Sequence, residues 1–263
     1  MKMKLNFLVK MTSVLSIVFL CFSCASKQDV IYYQNIDKMT ASQNANSYEI
    51  KIQPDDLLMI IVSADDPEVA IPFNLKSYST VSSNRQDIIR GQETVQLYLV
   101  DQGGSIEFPI IGKLKLGGLT RTEALKLLQE KIGLYIKSPI INLRIMNFKV
   151  SIQGEVNLPG TYPIASERLT LIEALSMAKD LTIYGKRDNI LVIREINGVK
   201  SYNRVDITKS DFINSPFYYL SQNDVVYVEP NKTRVNSSAV GPNTSVIISA
   251  ISILVSLSVL IFK

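Results

Sequence analysis

The sequence predicts an α+β chain of two tandem β-rich modules, closed by a C-terminal transmembrane helix. Three observations carry that reading. Matching residues recur at one constant offset through the middle of the chain. Strand-like apolar runs there are bounded by Gly, Pro and Asn turns. Residues 244–262 hold no charge.

The repeat comes first because it fixes the architecture. Gly104, Ile106, Phe108 and Pro109 align with Gly154, Val156, Leu158 and Pro159, 50 residues on. Leu119, Thr120, Glu123, Ala124 and Leu125 align with Leu169, Thr170, Glu173, Ala174 and Leu175 at the same offset of 50. Each unit reads as a strand pair closed by a Gly/Pro turn, then a helix. Thr120 and Thr170 sit where a cap belongs, and Glu123 and Glu173 complete a capping box.

The N-terminus is a targeting signal. Lys2, Lys4 and Lys10 precede an apolar stretch from Met11 to Leu20, followed by Cys21-Phe22-Ser23-Cys24. Residues 1–23 read as a signal peptide. Ser23-Cys24 further reads as a lipoprotein cleavage site that makes Cys24 the lipidated first residue. Ordinary signal cleavage, with Cys24 a bystander, is the alternative. Removal of the signal takes three lysines and no acid, so a net charge of +4 falls to +1. The basic balance therefore implies no nucleic acid.

Residues 24–47 read as a tether, with Ser, Gln, Asn and Lys dominating from Lys38 to Asn46. The first module, 48–148, opens on an alternating run that breaks at Pro54-Asp55-Asp56. Leu57–Val62 is a continuous apolar run suited to a buried strand. Asn74–Gln96 is polar and reads as a long loop. A helix is expected from Arg121 to about Tyr135, then a strand over 139–146 that runs into 148–154. In the second module, 149–230, two strand-like runs flank Asn197-Gly198, the strongest short hairpin signal in the chain. Asp224–Val228 closes it, and residues 231–243 form a polar linker.

The terminal segment, 244–262, is long enough at ~1.5 Å per residue to cross a hydrocarbon core of ~30 Å or a little less. Ser245, Ser249, Ser252 and Ser256 fall on one face of that helix. Such a stripe serves a helix that packs on copies of itself or one that lines a lumen, and the spacing does not separate the two. In a plain anchor the serines bond back to their own helix.

Several chemistries drop out. Both cysteines, Cys21 and Cys24, belong to the signal region, so the exported part has no disulfide and no thiol chemistry. The absence of histidine removes the commonest general base and metal ligand. Gly103-Gly104 and Gly117-Gly118 lack the residues of a phosphate loop. The adjacent acids Asp55-Asp56 and Asp65-Asp66 are candidates for carboxylate chemistry, but such turn acids are ordinarily solvated. No catalytic residue, metal site or cofactor is expected. Tyr218 and Tyr219 are aromatics of the kind that stack on sugar, although such residues more often serve the core or an interface.

Four stretches resemble the outer-membrane polysaccharide export family (Wza-like). They are Tyr48–Ser63, Asp101–Leu128 (D-x-G-G-S-I-x-F-P-x-I-G…G-L-T-x-x-E-A), Val150–Tyr162 (V-x-I-Q-G-E-V-x-x-P-G-T-Y) and Gln222–Pro230 (Q-N-D-V-V-Y-V-E-P). The resemblance implies a polysaccharide-export domain followed by a β-grasp-like SLBB domain. It further implies a lipidated, homo-oligomeric ring in the outer membrane, whose globular modules lie in the periplasm. The ring would export a capsular or exopolysaccharide without catalysis. An inner-membrane polysaccharide co-polymerase of the tyrosine-kinase-linked type is the implied partner, beside polysaccharide and membrane lipid. The chain has room for one β-grasp module, and its terminal helix is more apolar than a wide hydrated pore requires. From another class, a cell-envelope scaffold or glycan-binding lipoprotein uses that helix only as an anchor.

Overall fold

Strand β1 (Leu57–Ser63) is the middle strand of the first module's sheet. The computed structural model describes residues 27–39, 49–79, 92–196, 198–239 and 244–261. Leu58, Ile60 and Val62 of β1 are buried, and Leu57, Met59 and Ile61 are half-buried. Both faces of the strand are covered at least in part, which is why the run lacks polar alternation.

A short helix, α1 (Pro67–Ala70), follows, with Asp66 accepting from the Glu68 N–H as its cap. β2 (Lys76–Ser79) and β3 (Gln92–Val95) then pair antiparallel, so the segment expected to be loop is strand near both ends. β4 (Leu97–Leu99) pairs with β1, and β5 (Ser105–Phe108) and β6 (Gly112–Lys115) form a hairpin. Beside that hairpin, a Cβ on Gly117 would stand 2.6 Å from Gly104 Cα, and Gly104 itself lies at φ +75°. Only glycine suits this crossing. Helix α2 (Arg121–Ile132) buries Ala124, Leu128 and Ile132, a four-residue spacing that keeps one face on the core. It packs on β7 (Ile140–Ile145), antiparallel to β1 from Leu58↔Ile145 to Ser63↔Ile140.

The second module holds β8 (Lys149–Gly154), β9 (Gly160–Pro163), β10 (Leu169–Thr170), α3 (Leu171–Met177), β11 (Ile190–Ile196), β12 (Val199–Val205), β13 (Tyr219–Leu220) and β14 (Val225–Val228). Its five-stranded sheet runs β12-β11-β14-β8-β9, with β14 and β8 parallel and the other pairs antiparallel. The β11–β12 register closes at Ile196↔Val199 with Gly198 at φ +76°, the two-residue turn expected there. At Gly154, φ is +90° and a Cβ would stand 2.1 Å from the Val228 carbonyl oxygen, so the close β8–β14 approach requires glycine.

Both capping boxes form. Thr120 accepts from the Glu123 N–H and Thr170 from the Glu173 N–H, while each glutamate accepts from its threonine's backbone N–H at 2.8 Å. The repeat is nevertheless incomplete. β5 and β6 pair with each other, but the second copy's counterpart of β5 is a loop, tied by a single bridge between Val156 and Leu181. β9 pairs instead with β8.

Three expectations need correction. Part of the stretch read as a tether is built into the second module: the Tyr33 and Gln34 N–H groups donate to the carbonyls of Ile207 and Thr208. The linker over 231–243 contains a helix, α4 (Lys232–Ala239), started by Asn231 Oδ1 accepting from the Arg234 N–H. The terminal segment forms α5 (Thr244–Ile261), yet among the described residues no helix is long and apolar enough to cross a membrane. Its 18 residues rise about 27 Å, short of a ~30 Å hydrocarbon core. The signal peptide over 1–23 and Cys24 lie outside the described residues.

Candidate functional site: terminal helix, module junction and N-terminal strap

Every described side chain of α5, from Val246 to Leu257, is exposed. Ile247, Ile248, Ile251, Ile253, Leu254 and Val255 are among them, a density of apolar surface that water does not favour. The serine stripe lies along this helix. Ser252 Oγ donates to the Ile248 carbonyl at 2.9 Å, and Ser256 Oγ donates to the Ser252 carbonyl at 2.8 Å. Ser249 is engaged as well. A hydroxyl bonded back in this way keeps its acceptor lone pairs for a neighbour. Ser245 is helical in backbone, and its side chain lies outside the described residues.

Asn147, between β7 and β8, is the hub of the joint between modules. Its Oδ1 accepts from the Leu57 N–H at 2.9 Å and its Nδ2 donates to the Asp55 carbonyl at 2.8 Å. Its own carbonyl accepts from Gln222 Nε2, and Gln222 Oε1 accepts from the Lys149 N–H, both at 2.8 Å. Asp56 is buried at 1% exposure; Oδ2 accepts from the Gln53 N–H at 2.8 Å, and Oδ1 has no hydrogen-bond partner among the described residues. Burial pushes this carboxyl up to about 6, with the charge of Asp55 adding and the Gln53 N–H and nearby Gln222 amide opposing.

A cleft of about 880 Å³ lies between the modules, lined in part by Ile50, Ile52, Leu143, Ile145, Phe148 and Ile164. Arg121, at the start of α2, donates to the Leu143 carbonyl at 2.9 Å and pairs with Glu167 of the second module at 3.3 Å. Both side chains reach solvent, so this bridge orients the modules more than it stabilises them.

Three of the four candidate acids are occupied structurally, and Asp65 is exposed. Asp55 accepts from Gln102, Asp56 holds the 53–56 turn, and Asp66 caps α1. Among the described residues, no group of three or more His, Cys, Asp or Glu is placed to hold a metal ion. Tyr218 and Tyr219 are half-buried; their rings meet edge-on at 4.9 Å, Tyr218 packs on Phe212, and Arg168 lies over Tyr219 at 5.9 Å.

The sequence reading passed over a strap on the second module. Tyr32 Oη donates to Asp180 Oδ1 at 2.6 Å, and Tyr33 packs on Phe212 with ring centroids 5.4 Å apart. Asn35 Oδ1 accepts from both the N–H and the hydroxyl of Ser210, at 2.6 and 2.8 Å. The available signal was the apolar cluster Ile31-Tyr32-Tyr33 inside an otherwise polar stretch.

Known proteins match the same two-part order. Residues 44–146 fit the family described as polysaccharide biosynthesis/export protein, and residues 148–228 fit the SLBB domain. The first module is thus similar to polysaccharide biosynthesis/export proteins and the second to SLBB domains. Among the curated proteins similar to this chain is the EPS I polysaccharide export outer membrane protein EpsA of Ralstonia solanacearum. It is 29% identical over 218 residues, 80% of this chain and 56% of the relative. The protein of the same name from Ralstonia nicotianae is 31% identical over 166 residues, 62% of this chain and 42% of the relative. The chain thus spans about half the length of the curated relatives it matches.

Proposed function

We propose that this chain is a non-catalytic subunit of an oligomeric outer-membrane assembly that exports a capsular or exopolysaccharide. The observation that carries the reading is the pairing of an export module and an SLBB module with a terminal helix whose described apolar side chains are all exposed. A helix in that condition finds its place against lipid and against copies of itself. A single helix cannot enclose a path for a hydrophilic polymer, because backbone polar groups must be satisfied within the wall. Closed cyclic symmetry supplies such a wall from identical chains, with the globular modules setting the spacing.

In this reading Cys24 carries lipid, the modules face the periplasm, and the terminal helices are the ring's contact with the membrane. Ser245, Ser249, Ser252 and Ser256 lie between helices or toward the lumen. The polymer is delivered by an inner-membrane co-polymerase of the tyrosine-kinase-linked type, which meets the first module. A second reading, an envelope scaffold whose terminal helix is a simple anchor, draws support from the back-bonded Ser252 and Ser256.

The test is complementation of a strain lacking the protein, with surface and periplasmic polysaccharide measured separately. The export reading predicts polymer retained in the periplasm of the deletion strain and restored to the surface by the full chain, but not by Ser249→Leu/Ser252→Leu. Normal surface polymer without the protein contradicts export. Normal export by the double variant refutes the role of the stripe.

A further inference from the structure

Residues 24–47 have the composition of a loose leash, but four consecutive residues inside it are bound as firmly as a strand. Tyr33 and Gln34 donate backbone hydrogen bonds to Ile207 and Thr208 at 3.3 and 2.8 Å. Asn35 satisfies both the N–H and the hydroxyl of Ser210, and its Nδ2 reaches Asp211 Oδ1 at 3.1 Å. Tyr32 is held by the Asp180 carboxylate, and the Arg187 guanidinium lies 5.8 Å from its ring centre. The receiving surface is itself shaped for this: Lys179 and Asp180 are consecutive non-glycine residues at positive φ, +57° and +66°. Such a conformation costs free energy and persists only where the surroundings enforce it.

The chain's other end leaves from the same module. The Asn231 N–H donates to the Tyr184 carbonyl at 2.7 Å, and Arg234 pairs with Glu155 at 3.5 Å while lying over the Tyr184 ring. The second module therefore holds both the strap and the stem of the terminal helix.

We propose that the groove formed by Asp180, Arg187, Ile207–Ser210 and Phe212 is a docking site for the Tyr32–Asn35 strap, which locks the second module close to the lipid. The inference rests on the reading that Cys24 is lipidated. At ~3.3–3.6 Å per residue, a free leash from Cys24 to Glu49 reaches at most about 90 Å. With the strap docked, the chain from Cys24 to Tyr32 reaches at most about 29 Å fully extended, and the turn at Lys27–Asp29, with the Val30 and Ile31 N–H groups donating to the Lys27 carbonyl, shortens it further. Docking thus cuts the reach about threefold and turns a leash into a fixed standoff.

The experiment uses the full lipidated chain in phosphatidylethanolamine/phosphatidylglycerol vesicles containing an acceptor-labelled lipid. A donor dye is placed at Lys200→Cys, and a protease site replaces residues 240–243, so that cutting releases the hold of the terminal helix. After cleavage, the native strap should keep energy transfer high, and Tyr32→Ala/Asn35→Ala should lower it at least twofold. Equal transfer in the two overturns the lock. Hydrogen exchange reads the strap independently of lipid: Tyr33 and Gln34 amides should be protected in the native chain and unprotected in the variant, with core amides unchanged. Unprotected amides in the native chain also overturn the lock. Release of the native body from vesicles on cleavage, with those amides still protected, overturns the lipidation reading instead.

Discussion

Arg194 and Asp224 form a two-pronged ion pair in the core of the second module. Arg194 Nη2 and Nε donate to the Asp224 carboxylate at 2.7 and 3.0 Å, and the two side chains are 7% and 0% exposed. Arg194 occupies an inward position of β11, between Val192 and the hairpin end, and stacks on Phe217 at 4.8 Å. Nη2 also donates to the Tyr219 carbonyl, while Asp224 accepts from the Ser221 N–H. One guanidinium thereby ties β11, β13 and the turn before β14. Burial pushes the Asp224 carboxyl up, and Arg194 and the Ser221 N–H oppose it.

Removing one partner strands the other charge in the interior. Arg194→Met should destabilise the protein by about 3–5 kcal/mol in urea unfolding. Adding Asp224→Asn should recover a large part of that loss, since Asn still accepts from the Ser221 N–H. A double variant no more stable than Arg194→Met refutes the charge argument.

Asp56 predicts a pH dependence of the opposite kind to an ordinary paired acid. Its folded carboxyl titrates at about 6, above the 3.8 of the unfolded chain, so the folded state binds the extra proton between those values. The contribution is fully present below pH 3.8 and is lost as pH rises through about 6. The loss should be on the order of 2–3 kcal/mol. Asp56→Asn keeps the acceptor for the Gln53 N–H and removes the buried charge. It should flatten the stability profile between pH 4 and 7 and leave the variant at least as stable as the native chain at pH 7. Identical slopes for the two proteins contradict this role.

The two helix caps offer a matched pair. Thr120→Ala and Thr170→Ala should each cost about 1 kcal/mol, whereas Thr→Ser at either site should cost little. Equal effects of alanine and serine would mean that the hydroxyls are not the caps.

These caps were legible in the sequence because a capping box is a local signal, complete within four residues. The β11–β12 hairpin was legible for the same reason, through Asn197-Gly198, and β1 through an unbroken apolar run. What escaped was non-local. The parallel pairing of Ser151 with Val225 joins strands separated by a helix and a hairpin, and no residue near either strand announces it. The strap escaped because Tyr32 meets Asp180 across 148 residues, and average composition hid three apolar side chains in a polar segment. Arg194 was unremarked because a buried charge at an inward strand position violates the pattern by which strands are read. Asp55-Asp56 looked like a solvated turn, yet Asp56 is buried, with its carboxylate on the Gln53 N–H and the Gln222 amide of the second module nearby.

The central claim, that copies of this chain close into an export ring through their terminal helices, is tested most directly by counting subunits. The protein, expressed from its full sequence, would be extracted from membranes in mild detergent and imaged as single particles, with and without residues 244–263. The account predicts a closed ring of identical subunits whose membrane collar disappears on truncation. Monomers in both preparations would contradict it and leave the terminal helix an anchor alone.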